Sequence, residues 1–203
     1  MGKVGTKKHS TFIDMTAMSD VTVLLLTFFM LTATFKPKEP VEILAPSSIS
    51  ERKVPEFDVL TILISTSGQV FLQFDKPENA VAVLNKMGAH YNMSFTDKQK
   101  RALVDQPSIG VPMNQMASFL NLKLQEQDAA LKTTSIPVDS TNNQLADWVK
   151  YAVEVNEDIK LSIKADQNTP YPQVQKVMKT LVDIKQNRYS LQTTLKGLKE
   201  LDY

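Results

Sequence analysis

The sequence predicts an α+β protein: one N-terminal transmembrane helix, then a domain whose mixed sheet is packed by helices. Three observations carry this. Val21 to Phe35 reads VTVLLLTFFMLTATF, without a charge. From Phe57 a β-branched run, the turn signal Ser65-Thr66-Ser67-Gly68 and a second apolar run lead into a proline-started helix. Ile159 to Leu195 then gives strand, helix and strand again.

The apolar run extends backward through Phe12, Ile13, Met15, Ala17 and Met18, and Asp20 lies between this flank and the uncharged core. A helix from Phe12 to Phe35 is roughly 36 Å long at ~1.5 Å per residue, enough to cross a ~30 Å hydrocarbon layer with some tilt. Two plainer readings compete. A secretory signal peptide has an earlier apolar core and a small-residue cleavage site, whereas this run ends Thr34-Phe35-Lys36-Pro37. A core helix of a soluble protein competes because the strictly uncharged part is short for a span.

Charge sets the expected orientation. Lys3, Lys7 and Lys8 precede the run, while Lys36 and Lys38 after it alternate with Glu39 and Glu42. Positive charge beside a span stays cytoplasmic. Residues 1–11 are therefore expected as a cytoplasmic tail, 12–35 as the transmembrane helix in membrane lipid, 36–56 as a Pro-rich linker, and 57–203 as the folded domain across the membrane. The formal charge of +1 leaves no electrostatic footprint for nucleic acid.

Little points to catalysis. The chain has no cysteine and 2 histidines, His9 in the tail and His90 beyond the span. Histidines on opposite sides of a membrane cannot share a zinc ion. No GxSxG, HExxH or Gly-rich phosphate loop occurs. The expectation is no enzyme, no catalytic or metal residues and no cofactor.

Asp20 stands out within the span. At ~100° per residue, Thr16, Thr27 and Thr34 fall within about 40° of it on the helix wheel. Threonines can simply bond back to their own helix, so the plain reading of this stripe is filler. A carboxyl is harder to dismiss, because an acid at a span centre costs ~2.5–3.5 kcal/mol. Hydrocarbon favours the neutral acid and a polar partner the ionised one. A proton crossing the membrane releases ~2.3 kcal/mol per 100 mV. Asp20 is thus the candidate proton-carrying residue, with static helix pairing as the alternative.

Ile13-Asp14-Met15-Thr16-Ala17-Met18-Ser19-Asp20-Val21, followed by Leu24-Leu25-Leu26-Thr27-Phe28-Phe29-Met30, resembles the membrane segment of the ExbD/TolR family. Asp20 matches the family's essential aspartate, with Ala17-Met18 where Pro-Leu is common. The linker holds Pro37, Pro40, Pro46 and Pro55, and such proline density favours extended chain. Val41, Ile43 and Pro46 mark a candidate linker strand motif, since Val41-Glu42-Ile43 alternates and can add to a sheet edge. Family members carry an alternating stretch ending Leu-Pro here, where this chain has Leu44-Ala45-Pro46.

In the domain, Phe57 to Ile64 and Val70 to Phe74 are expected as a hairpin, then a helix from Pro77 with Val81 and Leu84 inward. Gly88 to Asp139 (88–139) resembles the inserted segment of longer ExbD-like proteins, which implies an extra helical insertion in the domain. Within it Thr96-Asp97-Lys98-Gln99 signals one helix start and Val111-Pro112 another. Met113, Met116, Ala117 and Leu120 form one apolar face there, read as core. Leu145, Trp148, Val149 and Ala152 repeat that spacing after Ser140-Thr141, expected to cap the helix.

Ile159 to Ala165 alternates as a strand. Thr169 is the expected N-cap and Pro170 the first residue of a helix facing inward through Val174, Val177, Met178, Leu181 and Ile184. Tyr189 to Leu195 closes the sheet, in parallel with its predecessor. Asp166 with Pro170 and Tyr171 matches the family's Ala-Asp then Pro-Tyr corner, read as structural.

The resemblance implies a single-pass inner-membrane subunit of a proton-driven motor with a periplasmic domain. It implies two copies, a homodimer, within a ring of ExbB-type subunits, engaging a TonB-like protein for energised outer-membrane transport. A Tol-type role in envelope constriction and a membrane-tethered periplasmic binding module are the alternatives.

Overall fold

The computed structural model describes residues 15–33, 39, 43–48, 57–139, 141–192 and 194–195. The chain forms two compact units, Met1–Lys36 and Pro37–Tyr203. The first contains helix α1 (Met15–Thr32), with every described side chain exposed. Its 18 residues are long and apolar enough to cross a membrane.

The second unit is α+β. β1 (Ser47–Ser48) precedes β2 (Val59–Ile64), β3 (Val70–Phe74) and α2 (Pro77–His90). The segment expected as an insertion supplies α3 (Asp97–Asp105), β4 (Ser108–Ile109), α4 (Met113–Leu120), α5 (Leu124–Leu131) and β5 (Val138–Asp139). Then follow β6 (Asn142–Asn143), α6 (Gln144–Val155), β7 (Lys160–Ala165), α7 (Tyr171–Asp183), β8 (Tyr189–Leu191) and β9 (Thr194–Leu195).

The main sheet has 5 strands in the order β4-β3-β2-β7-β8. β2 pairs antiparallel with β3 and parallel with β7, so the sheet is mixed. The expected parallel relation of β7 and β8 around α7 is present. Side chains alternate across the pleat. Leu60, Ile62, Ile64, Leu72, Phe74, Ile109, Leu161 and Ile163 share one apolar face and join the core. A polar row, Ser108, Gln73, Thr61, Ser162 and Ser190, crosses the other face in register.

The turn between β2 and β3 needs its glycine. Gly68 has φ +82°, and a Cβ there would lie 2.9 Å from Gln173 Cγ. Helices contribute the core positions their spacing predicts: Leu145, Trp148, Val149 and Ala152 of α6, and Met113, Met116 and Leu120 of α4, are all buried, with Ala117 half-buried. Thr96 and Gln99 form a capping box at the start of α3. In α2 the buried stripe is Ala80, Val83, Leu84 and Met87, and Val81 sits half-buried beside it.

Several expectations change. Ser140 lies outside the described residues, and α6 is capped by Asn143, whose side chain accepts from Ala146 N–H at 3.2 Å. Asn142–Asn143 first pairs with β5, so the chain reaches the helix later than Thr141. Thr169 caps nothing: its hydroxyl donates to Ser65 C=O at 3.1 Å, and Pro170 is the residue before α7. Pro172, within the first turn, has no N–H to cap. The closing strand divides, with β8 in the main sheet and β9 pairing with β1 in parallel. The segment expected as a helical insertion also carries a strand, since β4 extends the main sheet.

Candidate functional site: the acid of α1 and the corner at Asp166

Asp20 lies on the exposed surface of α1. Thr27, two turns on and nearly in line with it, donates its hydroxyl proton to Leu24 C=O at 2.9 Å. Off the stripe, Thr22 donates to the carbonyls of Met18 and Ser19, and Thr32 to that of Phe28 at 2.8 Å. A hydroxyl whose proton is held inside its own helix offers neighbours only acceptor lone pairs. Thr27 can therefore receive a hydrogen bond from a protonated acid or water on this face, while its own proton stays engaged. Thr16 is also on α1, and Thr34 lies outside the described residues.

The second site is the corner after β7. Asp166, 8% exposed, turns both carboxylate oxygens toward backbone donors. Oδ1 accepts Asn168 N–H at 2.9 Å, which closes the turn into α7. Oδ2 accepts Leu44 N–H at 3.0 Å across 122 residues of sequence. Gln167 N–H returns a bond to Leu44 C=O at 2.9 Å, so Leu44 is held at both of its backbone groups. Hydrogen bonds to charged groups contribute about 1.5–3 kcal/mol, so the carboxylate is the stronger half of this clasp.

The stretch expected as linker is thus docked over its described part. Ile43 is 5% exposed and belongs to the hydrophobic core. Upstream, Glu39 Oε1 lies 2.6 Å from Lys164 Nζ, on the strand that leads to Asp166. Pro46 is exposed, and Val41 lies outside the described residues. Pro170 sets the start of α7, while Tyr171, 67% exposed, projects outward. Reading the sequence missed Leu44, Glu39 and Lys164. Backbone groups carry no residue signature, and ordinary surface charges give no hint of a partner so far along the chain.

Asp58 fixes the start of β2. It adopts φ 57°, which aspartate tolerates, and its Oδ1 receives Lys76 Nζ at 2.7 Å and Asn156 Nδ2 at 3.1 Å. The bond from Lys76 holds the Asp58 carboxyl below its ordinary value and raises the Lys76 ammonium. At the C-terminal end of α2, Tyr91 donates its phenol to Asp147 Oδ2 at 2.8 Å, and burial with that acceptor pushes it up to about 12. Among the described residues no cluster of three or more His, Cys, Asp or Glu is placed to hold a metal.

No curated protein and no solved structure matches the chain. A family model described as Biopolymer transport protein ExbD/TolR matches residues 6–196 of the 203-residue chain. That match takes in both the helix bearing Asp20 and the corner at Asp166, and the chain belongs to the ExbD/TolR family.

Proposed function

We propose that this protein is the ExbD-type subunit of an inner-membrane motor that couples the proton motive force to a TonB-like protein, energising transport across the outer membrane. The observation that carries the proposal is Asp20, the one charged residue of α1, within a chain of this family. Family members work with ExbB or TolQ and with TonB or TolA, so two copies of α1 inside a ring of ExbB-type subunits are the expected assembly. The tail before α1 faces the cytoplasm and the α+β unit the periplasm.

In this mechanism Asp20 is alternately neutral and ionised. The ionised form needs a polar partner and the neutral form does not, so each protonation step changes which face of α1 is favoured against the ring. A downhill flow of protons then biases the helix in one direction. The chain after α1 delivers this motion to the domain, and among the described residues it is held there by Glu39 on Lys164, by buried Ile43 and by the Leu44 clasp at Asp166.

The test compares wild type with Asp20→Asn for co-purification with an ExbB-type ring and for uptake through a TonB-dependent receptor. Assembly kept with uptake abolished is the expected result. Uptake preserved in an assembled complex overturns the motor reading and leaves a membrane-tethered module. Failure to assemble makes Asp20 a packing residue and removes the proton-carrying role proposed for it.

A further inference from the structure

The inserted segment meets the outer edge of β3 group by group. Val70 N–H donates to Ser135 Oγ at 2.9 Å, and Val70 C=O accepts Ile136 N–H at 3.0 Å. Leu72 pairs with Ile109 and Gln73 with Ser108 in the antiparallel register of β4. Phe74 N–H donates to Pro107 C=O at 3.1 Å. Before the strand, the Gln69 amide donates to the carbonyls of Lys132 and Thr134 at 3.1 and 3.2 Å. All of these partners belong to the insertion.

An uncovered β3 would be hazardous. Gln69 to Phe74 reads QVFLQF, uncharged, free of proline and glycine, and rich in β-forming residues. Unpaired strand edges of this kind template pairing with another chain. A second copy is the natural competitor, because two identical strands can pair antiparallel about a two-fold axis and satisfy both edges at once. The covering segment offers no replacement edge, since β4 is 2 residues long and Gln106 to Val111 are buried.

We propose that the inserted segment is an edge cap, which denies β3 to a second copy of this chain. The proposal is independent of what the protein energises. It accounts for an insertion whose buried residues reach into the main core while its backbone groups go to one strand edge.

Gly110 provides the lever for a test. A Cβ there would sit 2.2 Å from Phe71 Cδ1 and 2.7 Å from Leu131 Cδ2, so Gly110→Val pries the segment from β3. Full-length wild type, Gly110→Val and Gly110→Val/Gln73→Lys are compared in detergent, with assembly mass by light scattering and amide exchange by mass spectrometry. In Gly110→Val, exchange at Val70, Leu72 and Phe74 should rise on the order of tenfold, the equivalent of ~1.4 kcal/mol in opening free energy. Amides of β7 should stay protected and the assembly should gain copies. Adding Gln73→Lys, a charge that edge pairing does not tolerate, should restore the wild-type mass without restoring protection.

Deprotection with unchanged mass overturns the proposal, as does a mass gain that Gln73→Lys fails to reverse. If Gly110→Val also loses β7 protection, Ser135→Ala takes its place, because it removes the acceptor of Val70 N–H and, besides that, only the hydroxyl's own bond to the adjacent Ile136 C=O. That variant should exchange faster at Val70 and show concentration-dependent mass gain. Faster exchange with constant mass across a concentration series again refutes the cap.

Discussion

Replacing Asp166 by alanine removes the acceptor of two backbone donors, Leu44 N–H at 3.0 Å and Asn168 N–H at 2.9 Å. These losses act on different equilibria. The Asn168 bond is local to the turn before α7, so its loss lowers the stability of the whole domain. The Leu44 bond joins the clasp to the domain, so its loss bears on docking of residues 43–48. At about 1.5–3 kcal/mol for a hydrogen bond to a carboxylate, the docking equilibrium should shift toward release by one to two orders of magnitude. The Gln167 to Leu44 bond and the burial of Ile43 remain.

Amide exchange on the full-length protein separates the two effects. The Leu44 amide should lose protection by that factor, while the β2 and β7 amides change only by the global loss. Restoring the carboxylate one carbon further out, in Asp166→Glu, should recover part of the Leu44 protection. Unchanged protection at Leu44 in Asp166→Ala would refute the clasp. A uniform fall across every amide would instead assign Asp166 to the turn alone.

Asp58→Asn preserves a residue suited to φ 57° while removing the charge that Lys76 stabilises. Because folding lowers the Asp58 value, its contribution is present above the ordinary value of 3.8 and fades as pH falls further, so the variant should show a shallower loss of Tm on acidification. Tyr91, raised to about 12, binds its proton more tightly when folded; stability tied to it fades as pH rises from about 10 through 12, and Tyr91→Phe should remove the late phenolate step from an absorbance titration. Gln144 Oε1 accepts the Met113 N–H at 2.8 Å in a buried position, tying the insertion to α6. Gln144→Ala should cost about 1–3 kcal/mol in denaturant unfolding, because that N–H is left without its acceptor.

What the sequence determined by itself was whatever depends on near neighbours. Helix α1, long and apolar enough to cross a membrane, follows from a mostly apolar run, and a helix satisfies its backbone without outside help. The β2–β3 hairpin follows from alternation around Gly68, and α4 and α6 from apolar residues repeating at helical spacing. Asp20 stands out in the sequence as the one acid of α1, and the role proposed for it starts from that position. Asp166 was legible as a corner residue through its match to the Ala-Asp and Pro-Tyr pattern.

Tertiary structure decided what those residues meet. Leu44 and Asp166 are joined by a bond whose donor is a backbone amide, which looks the same at every residue except proline. The helix caps moved because Asn142–Asn143 was drawn into a hairpin and Thr169 toward Ser65. Ser108–Ile109 became a strand because β3 presented unpaired groups beside it, not through any propensity of a two-residue segment. Local pattern fixes which elements can form, whereas backbone hydrogen-bond demand, met by groups distant in sequence, fixes where Leu44 and residues 107–136 attach.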